Sequence, residues 1–197
     1  PKKGLVLFMK DILMSKGSRK IVEVCAGVKP GEQVLIITEP KMEKIAKSIA
    51  AAVYAIEAEP VIAFMLPRTN DGQEPPATIA AAMKNCNVFI CAVHKSITHT
   101  KAVKNAVELG ARGIMLTQFE EALLISGGIE ADFKELAPIC KSVAKALEHS
   151  NEIRLTTPHG TDLVFSAKGR RGNALTCLVE SGEFAPVPTI EANVSPL

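Results

Sequence analysis

Apolar positions along this chain follow two textures, and the change between them comes near residue 150. In the first stretch, Leu5, Phe8, Met9, Leu13, Ile21, Val24 and Cys25 share one stripe at helical spacing. That predicts a helix over 5–27, with a break near Gly17-Ser18 and a stop at Gly27. Residues 34–38 are a continuous β-branched run, the mark of a strand buried on both faces of a parallel sheet. Helical spacing returns over 41–57, where Met42, Ile45, Ala46, Ile49, Val53 and Ile56 face inward and Lys41, Glu43, Lys44 and Lys47 outward. The unit then repeats. Further buried strands are expected at 61–65, 88–93 and 113–117, with helices at 77–84, 99–109 and 132–149. The last helix holds Pro138, which should kink it or start its main part. Such alternation predicts right-handed βαβ units: an α/β fold, a parallel sheet sandwiched by helices in Rossmann-like or flavodoxin-like order.

After Ser150 the pattern alternates with period two. Residues 152–156 and 163–166 flank Pro158-His159-Gly160, a hairpin signature, and a third strand is expected at 175–179. The division is therefore an α/β domain at 1–150 and the start of an incomplete β-rich catalytic domain at 151–197. Three short strands bury little apolar surface, so either a second copy completes them or the chain is the N-terminal part of something longer. The longer protein is the favoured expectation.

The run Ser181-Gly182-Glu183-Phe184-Ala185-Pro186-Val187-Pro188 can neither start a helix nor continue as a central strand, because Pro186 and Pro188 lack ladder donors. It reads as a rigid irregular loop holding one acid. Glu183 and Glu191 are acids beside glycine, proline and apolar residues, a setting that suits a metal ligand or an acid/base group as well as an exposed loop acid.

Composition narrows the function classes. Apolar residues make up 47% of the chain, enough for a sizeable core, and the net charge is only +2. A nucleic-acid partner would need a concentrated basic face, and Lys168, Arg170 and Arg171 read as a solvated turn. Residues 4–14 are too short and too interrupted, by Lys10 and Asp11, to span a membrane. Cys25, Cys86, Cys91, Cys140 and Cys177 are scattered among apolar neighbours with no CxxC, so they read as buried thiols of a cytoplasmic protein.

No nucleotide fingerprint is present. Thr38-Glu39-Pro40-Lys41 stands where a glycine-rich turn would follow the first strand. The polar loop after the third strand, His94-Lys95-Ser96-Ile97-Thr98-His99-Thr100, is the alternative place for a ligand. His94, His99 and Thr100 are its substrate-binding candidates, beside a helix start whose amides favour an anion. Thr98 as a plain helix N-cap is the favoured reading of the loop, and the two histidines lack the i, i+4 spacing of a helical metal pair. No residue is assigned a catalytic role.

Several short runs resemble the aminopeptidase T/S-like (thermophilic metalloprotease) family. They are the stretch 27–36, which reads Gly-Val-Lys-Pro-Gly-Glu-Gln-Val-Leu-Ile, then Ser96-Ile97-Thr98-His99-Thr100, Gly110-Ala111-Arg112-Gly113 and Gly160-Thr161-Asp162-Leu163. The tail, Gly182-Glu183-Phe184-Ala185-Pro186 with Ile190-Glu191-Ala192-Asn193, is similar to the branch containing 2,5-dihydroxypyridine 5,6-dioxygenase and leucyl aminopeptidase-like proteins. The resemblance implies a longer, homodimeric, metal-dependent enzyme. Its preferred reading is a non-haem iron(II) ring-opening dioxygenase acting on a small aromatic. The alternative is an aminopeptidase using zinc or cobalt on a short peptide, and a non-catalytic α/β binding module is the rival outside enzymes. Glu183 occupies the position of a metal-ligating glutamate in the aminopeptidase branch, although Glu-Phe-Ala-Pro is shorter than that branch's run. The remaining ligands would lie beyond Leu197, so these 197 residues alone are expected to be inactive.

Overall fold

The computed structural model describes residues 9–197, and the expected helix positions Leu5 and Phe8 lie outside them. Two compact units emerge. The first ends at Ala131 and takes in Cys177–Pro188; the second holds Asp132–Thr176 and Thr189–Leu197. The sequence boundary at 150 follows the long helix of the second unit, whereas the units divide before it.

The first unit is built on a parallel sheet. Its strands are β1 (Gln33–Thr38), β2 (Glu59–Phe64), β3 (Val88–Val93) and β4 (Arg112–Thr117), joined at the edge by Phe184–Pro186. The order is β2-β1-β3-β4 followed by that edge strand, and all four pairings are parallel. This is the expected α/β architecture, in flavodoxin-like order with its switch point between β1 and β3. The helices are α1 (Lys10–Arg19), α2 (Glu43–Ala55), α3 (Ala77–Met83), α4 (Lys101–Glu108) and the short α5 (Glu121–Ile125).

Alternation of side chains across the sheet explains the two-layer core. Leu35, Ile37, Phe89, Cys91, Val93 and Met115 pack with Ile79 and Met83 of α3 and with Ala102, Val103 and Ala106 of α4. Ile36, Val88, Ile90, Ala92, Ile114 and Leu116 point to the opposite face and are fully buried, while α2 contributes Ile45, Ile49 and Val53. Each such large side chain stabilises the fold by about 1.5–3 kcal/mol on burial.

Three details differ from the sequence reading. β2 was expected to be buried, but as the sheet's open edge it leaves Val61 and Phe64 half exposed, and Pro60 is tolerated there because edge strands need fewer donors. Gly17-Ser18 is no break. The helix runs on through it into a π-helical turn, Lys20–Cys25, because Gly17 lets α1 approach α5 so closely that a Cβ would strike the Leu124 carbonyl. Ser18 Oγ meets Ser48 Oγ of α2 at 2.7 Å. Finally, the proline-rich tail is partly a strand. Phe184–Pro186 pairs with β4 through Gly113 N–H to Glu183 O (2.9 Å) and Val187 N–H to Met115 O (3.1 Å), so the donor missing at Pro186 falls where the ladder does not need it.

The second unit contains the long helix α6 (Phe133–Glu148), with Pro138 inside it and Asp132 as N-cap accepting from Lys134 N and Glu135 N. Its strands are β5 (Glu152–Thr156), β6 (Asp162–Ser166), β7 (Gly172–Leu175) and, after the first unit's edge strand (numbered β8), β9 (Glu191–Val194). β5 and β6 form the expected hairpin, locked by Arg154 donating to both Asp162 oxygens at 2.8 Å. The third strand was placed at 175–179; it lies at 172–175 and pairs with the tail strand β9. That ribbon has a cover the sequence reading missed. α6 packs on β7 and β9, with Cys140 Sγ 3.0 Å from Glu191 O and Gly172 against Ala144.

All five cysteines are free, and all but the half-buried Cys86 are buried. Burial pushes the Cys86 thiol up to about 11 and drives Cys25 and Cys91 higher still, as expected of inert core thiols. Among the described residues no helix is long and apolar enough to cross a membrane.

Candidate functional site at the carboxyl ends of the strands

In an open parallel sheet, ligands bind where the strands end at their carboxyl side, beside the switch point. Here that edge collects the residue after β1, Glu39; the loop after β3, beginning at His94; and the residue after β4, Gln118. Glu39 is 1% exposed, and its Oε1 accepts from the His94 backbone N–H at 3.0 Å. Gln118 holds φ 53°, an uncommon conformation for a side chain of its size, while its N–H reaches Val93 O at 3.0 Å.

The loop 94–100 is tied down from outside by the segment that precedes α3. Asp71 accepts from Ser96 N at 2.8 Å and lies 3.7 Å from Lys95 Nζ. The Ser96 N–H above all, reinforced by Lys95, holds the Asp71 carboxyl below its ordinary range. Glu74 accepts from Lys101 N at 2.6 Å and Ala102 N at 3.2 Å. The anion-favouring start of α4 is therefore already served by a carboxylate of the chain itself.

Thr100, not Thr98, caps α4. Its hydroxyl donates to Ile97 O (2.7 Å) and accepts from Val103 N (3.4 Å), so it is engaged in the fold. Thr98 instead meets Ser96 within the loop, Oγ to Oγ, at 2.7 Å. His94 and His99 are exposed, leaving two imidazoles as the loop's accessible polar chemistry.

Glu183 lies elsewhere. In the β4 register it aligns with Arg112, at the amino end, while the 94–100 loop leaves the opposite end of β3. Five strand residues at about 3.3 Å each put roughly 16 Å between the two ends. Glu183 is exposed, with Oε2 accepting from Glu180 N at 3.0 Å. Glu191 is in the second unit, on β9, accepting from Asn193 Nδ2 at 2.6 Å. Within the first unit, Glu183 and the loop candidates are thus not gathered into one cluster, and among the described residues no three His, Cys, Asp or Glu side chains could hold a metal ion.

With this geometry in view, the sequence matches the family of 2,5-dihydroxypyridine 5,6-dioxygenase over residues 14–190, most of its length. The chain belongs to that family. Among solved structures it is similar to 2,5-dihydroxypyridine dioxygenase from Pseudomonas putida KT2440, with TM-score 0.73 at 10% identity, covering 94% of this chain and 56% of that one. It is also similar to wild-type AmpT from Thermus thermophilus, with TM-score 0.59 at 13% identity, covering 93% of this chain and 61% of that one. At such identities the likeness is one of fold. No curated protein matches the sequence. The chain spans somewhat more than half the length of these solved relatives.

Two of the short runs that carry the family resemblance meet at the amino end of the sheet. Arg112 donates to Glu32 (Nη1 to Oε1 3.0 Å, Nη2 to Oε2 2.5 Å) and to the carbonyls of Ala26 (2.6 Å) and Gly27 (2.9 Å). Burial pushes the Glu32 carboxyl up, but the Arg112 and Lys29 N–H bonds and the charges of both residues outweigh it and hold the group below its ordinary range. These runs build architecture. The residue that sequence reasoning passed over is Glu39, noted only as standing where glycine was sought. Its signal was a lone acid directly after a strand buried at every position but its first, at the switch point.

Proposed function

We propose that this chain is part of a metal-dependent ring-opening dioxygenase acting on a dihydroxypyridine-like aromatic, with iron(II) as the metal. The match to the dioxygenase family over residues 14–190 carries this reading. Such an iron centre needs two histidines and a carboxylate with open positions. The described residues do not make that set. Within the reading, Glu183 would contribute one carboxylate to the metal, whereas the exposed His94 and His99 stand at the opposite end of the strands, too far within one chain to contact a substrate held at that metal. Thr100 would hold the loop's shape through its cap. A homodimer and a cytoplasmic setting complete the proposal; five free thiols support the latter.

The second reading is a metal-dependent aminopeptidase, supported by the fold likeness to AmpT. Metal analysis of the intact protein, followed by oxygen uptake with 2,5-dihydroxypyridine and hydrolysis of a leucyl amide, separates the two. Iron-dependent oxygen uptake that disappears with Glu183→Ala is the expected result. Leucyl hydrolysis without oxygen uptake would replace the first reading with the second. A full iron complement in the Glu183→Ala variant would remove Glu183 from the metal site.

A further inference from the structure

At the switch point lies a cleft of about 440 Å³ within the first unit, lined by Glu39, Met42, Ile45, His94, Gln118 and Phe119, with Lys10, Lys41, Glu120 and Glu121 at its rim. One of its lining residues, Glu39, carries an atom unexplained by the fold. Glu39 Oε1 is satisfied by His94 N, but Oε2 is buried and has no hydrogen-bond partner. Buried polar atoms are almost always paired, and an exception at a cleft on the ligand-binding edge of a doubly wound sheet points to an occupant. The strained Gln118 backbone on the facing loop is a further mark of such a place.

The chemistry of the walls selects the occupant. A carboxylate oxygen can only accept, so what meets Oε2 must donate an N–H or O–H. Lys10 is taken up by Glu121 at 2.8 Å, which leaves Glu39 and Glu120 against Lys41 and favours positive charge. A bare metal ion does not fit, since no three ligand side chains converge among the described residues. Met42, Ile45 and Phe119, all buried, offer an apolar wall. We infer that this cleft binds a small ammonium compound with an apolar body, its charged nitrogen donating to Glu39 Oε2. The inference does not rest on the dioxygenase reading, because Glu183 lies at the other end of the strands.

The test uses benzylammonium, benzyl alcohol and benzoate as probes, titrated into the protein while the backbone amides of His94 and Gln118 are followed by NMR. Benzylammonium should give a saturable shift with a dissociation constant of about 1 mM or below. Benzyl alcohol should bind more weakly, and benzoate not at all. Glu39→Gln should weaken benzylammonium at least about tenfold, the scale of a lost charge-assisted hydrogen bond. Ala122→Trp, at an exposed rim position, should block the cleft while leaving Glu39 in place, which keeps the test informative if the first variant folds poorly. Equal binding of benzoate, undiminished binding by Glu39→Gln, or no saturable shift with any probe would each overturn the assignment.

Discussion

The two ends of the five-stranded sheet treat buried charge in opposite ways. At the amino end, Glu32 is matched oxygen for nitrogen by Arg112, whose remaining donors close the carbonyls at the end of the first helix. At the carboxyl end, Glu39 is more deeply buried, yet one of its oxygens is left without a donor. Both acids flank β1, one on either side. The satisfied end joins two of the runs that carry the family resemblance, whereas the unsatisfied end coincides with the switch point where parallel sheets hold ligands. Chemistry is to be sought where polar satisfaction fails.

The sharpest way to break the comparison is at Arg112. Arg112→Ala strands the largely buried Glu32 carboxylate and two carbonyls, and should cost about 3 kcal/mol in urea unfolding, the scale of a broken buried pair. Arg112→Lys should recover only part of it, since an ammonium cannot fork across both oxygens. A pH series checks the same knot. Because the folded Glu32 carboxyl is held low, its contribution is present above its unfolded value of about 4.3 and is lost as pH falls through the lower folded value. Arg112→Ala should flatten that acid limb, and an unchanged limb would show that the ion pair contributes nothing.

Next in size is Gly113, where β4 passes Phe89 so closely that a Cβ would overlap the ring. Gly113→Ala should cost about 2 kcal/mol by overpacking, and Phe89→Leu in the same chain should recover part of it. Additive losses in the double variant would place the strain elsewhere.

How much of this was legible beforehand depended on whether the signal was local. The strands β1, β3 and β4 read directly from their apolar runs, because the central residues of a strand buried on both faces leave no polar alternation to disguise it. β2 was misjudged as buried because edge status is a property of the sheet order and not of the run itself. The strand at 184–186 was missed because its prolines forbid a central position, and only the register shows that the ladder asks nothing of Pro186. Pairing of β7 with β9 likewise spans residues far apart in sequence. At the candidate site, the 94–100 loop was identified from composition, but its anchoring by Asp71 and Glu74 is tertiary. Glu39 was unreadable for a plainer reason: an acid after a strand is usually solvated, and only burial makes it exceptional.

The smallest predicted effect decides most. In Glu39→Gln the amide oxygen can still accept from His94 N, and an unmet acceptor is exchanged for an unmet amide group without the cost of burying charge. Stability should therefore change by less than about 1 kcal/mol, or rise, as happens when a group kept for binding is removed. Glu39→Leu keeps the bulk but orphans the His94 N–H, and should cost about 1–2 kcal/mol more than the glutamine variant. Unfolding midpoints of the two variants against the parent chain supply the measurement. A loss from Glu39→Gln as large as that from Arg112→Ala would mean that Glu39 is held by partners as firmly as Glu32. The contrast between the two ends of the sheet would then fail, and with it the reason to look for a ligand at the switch point.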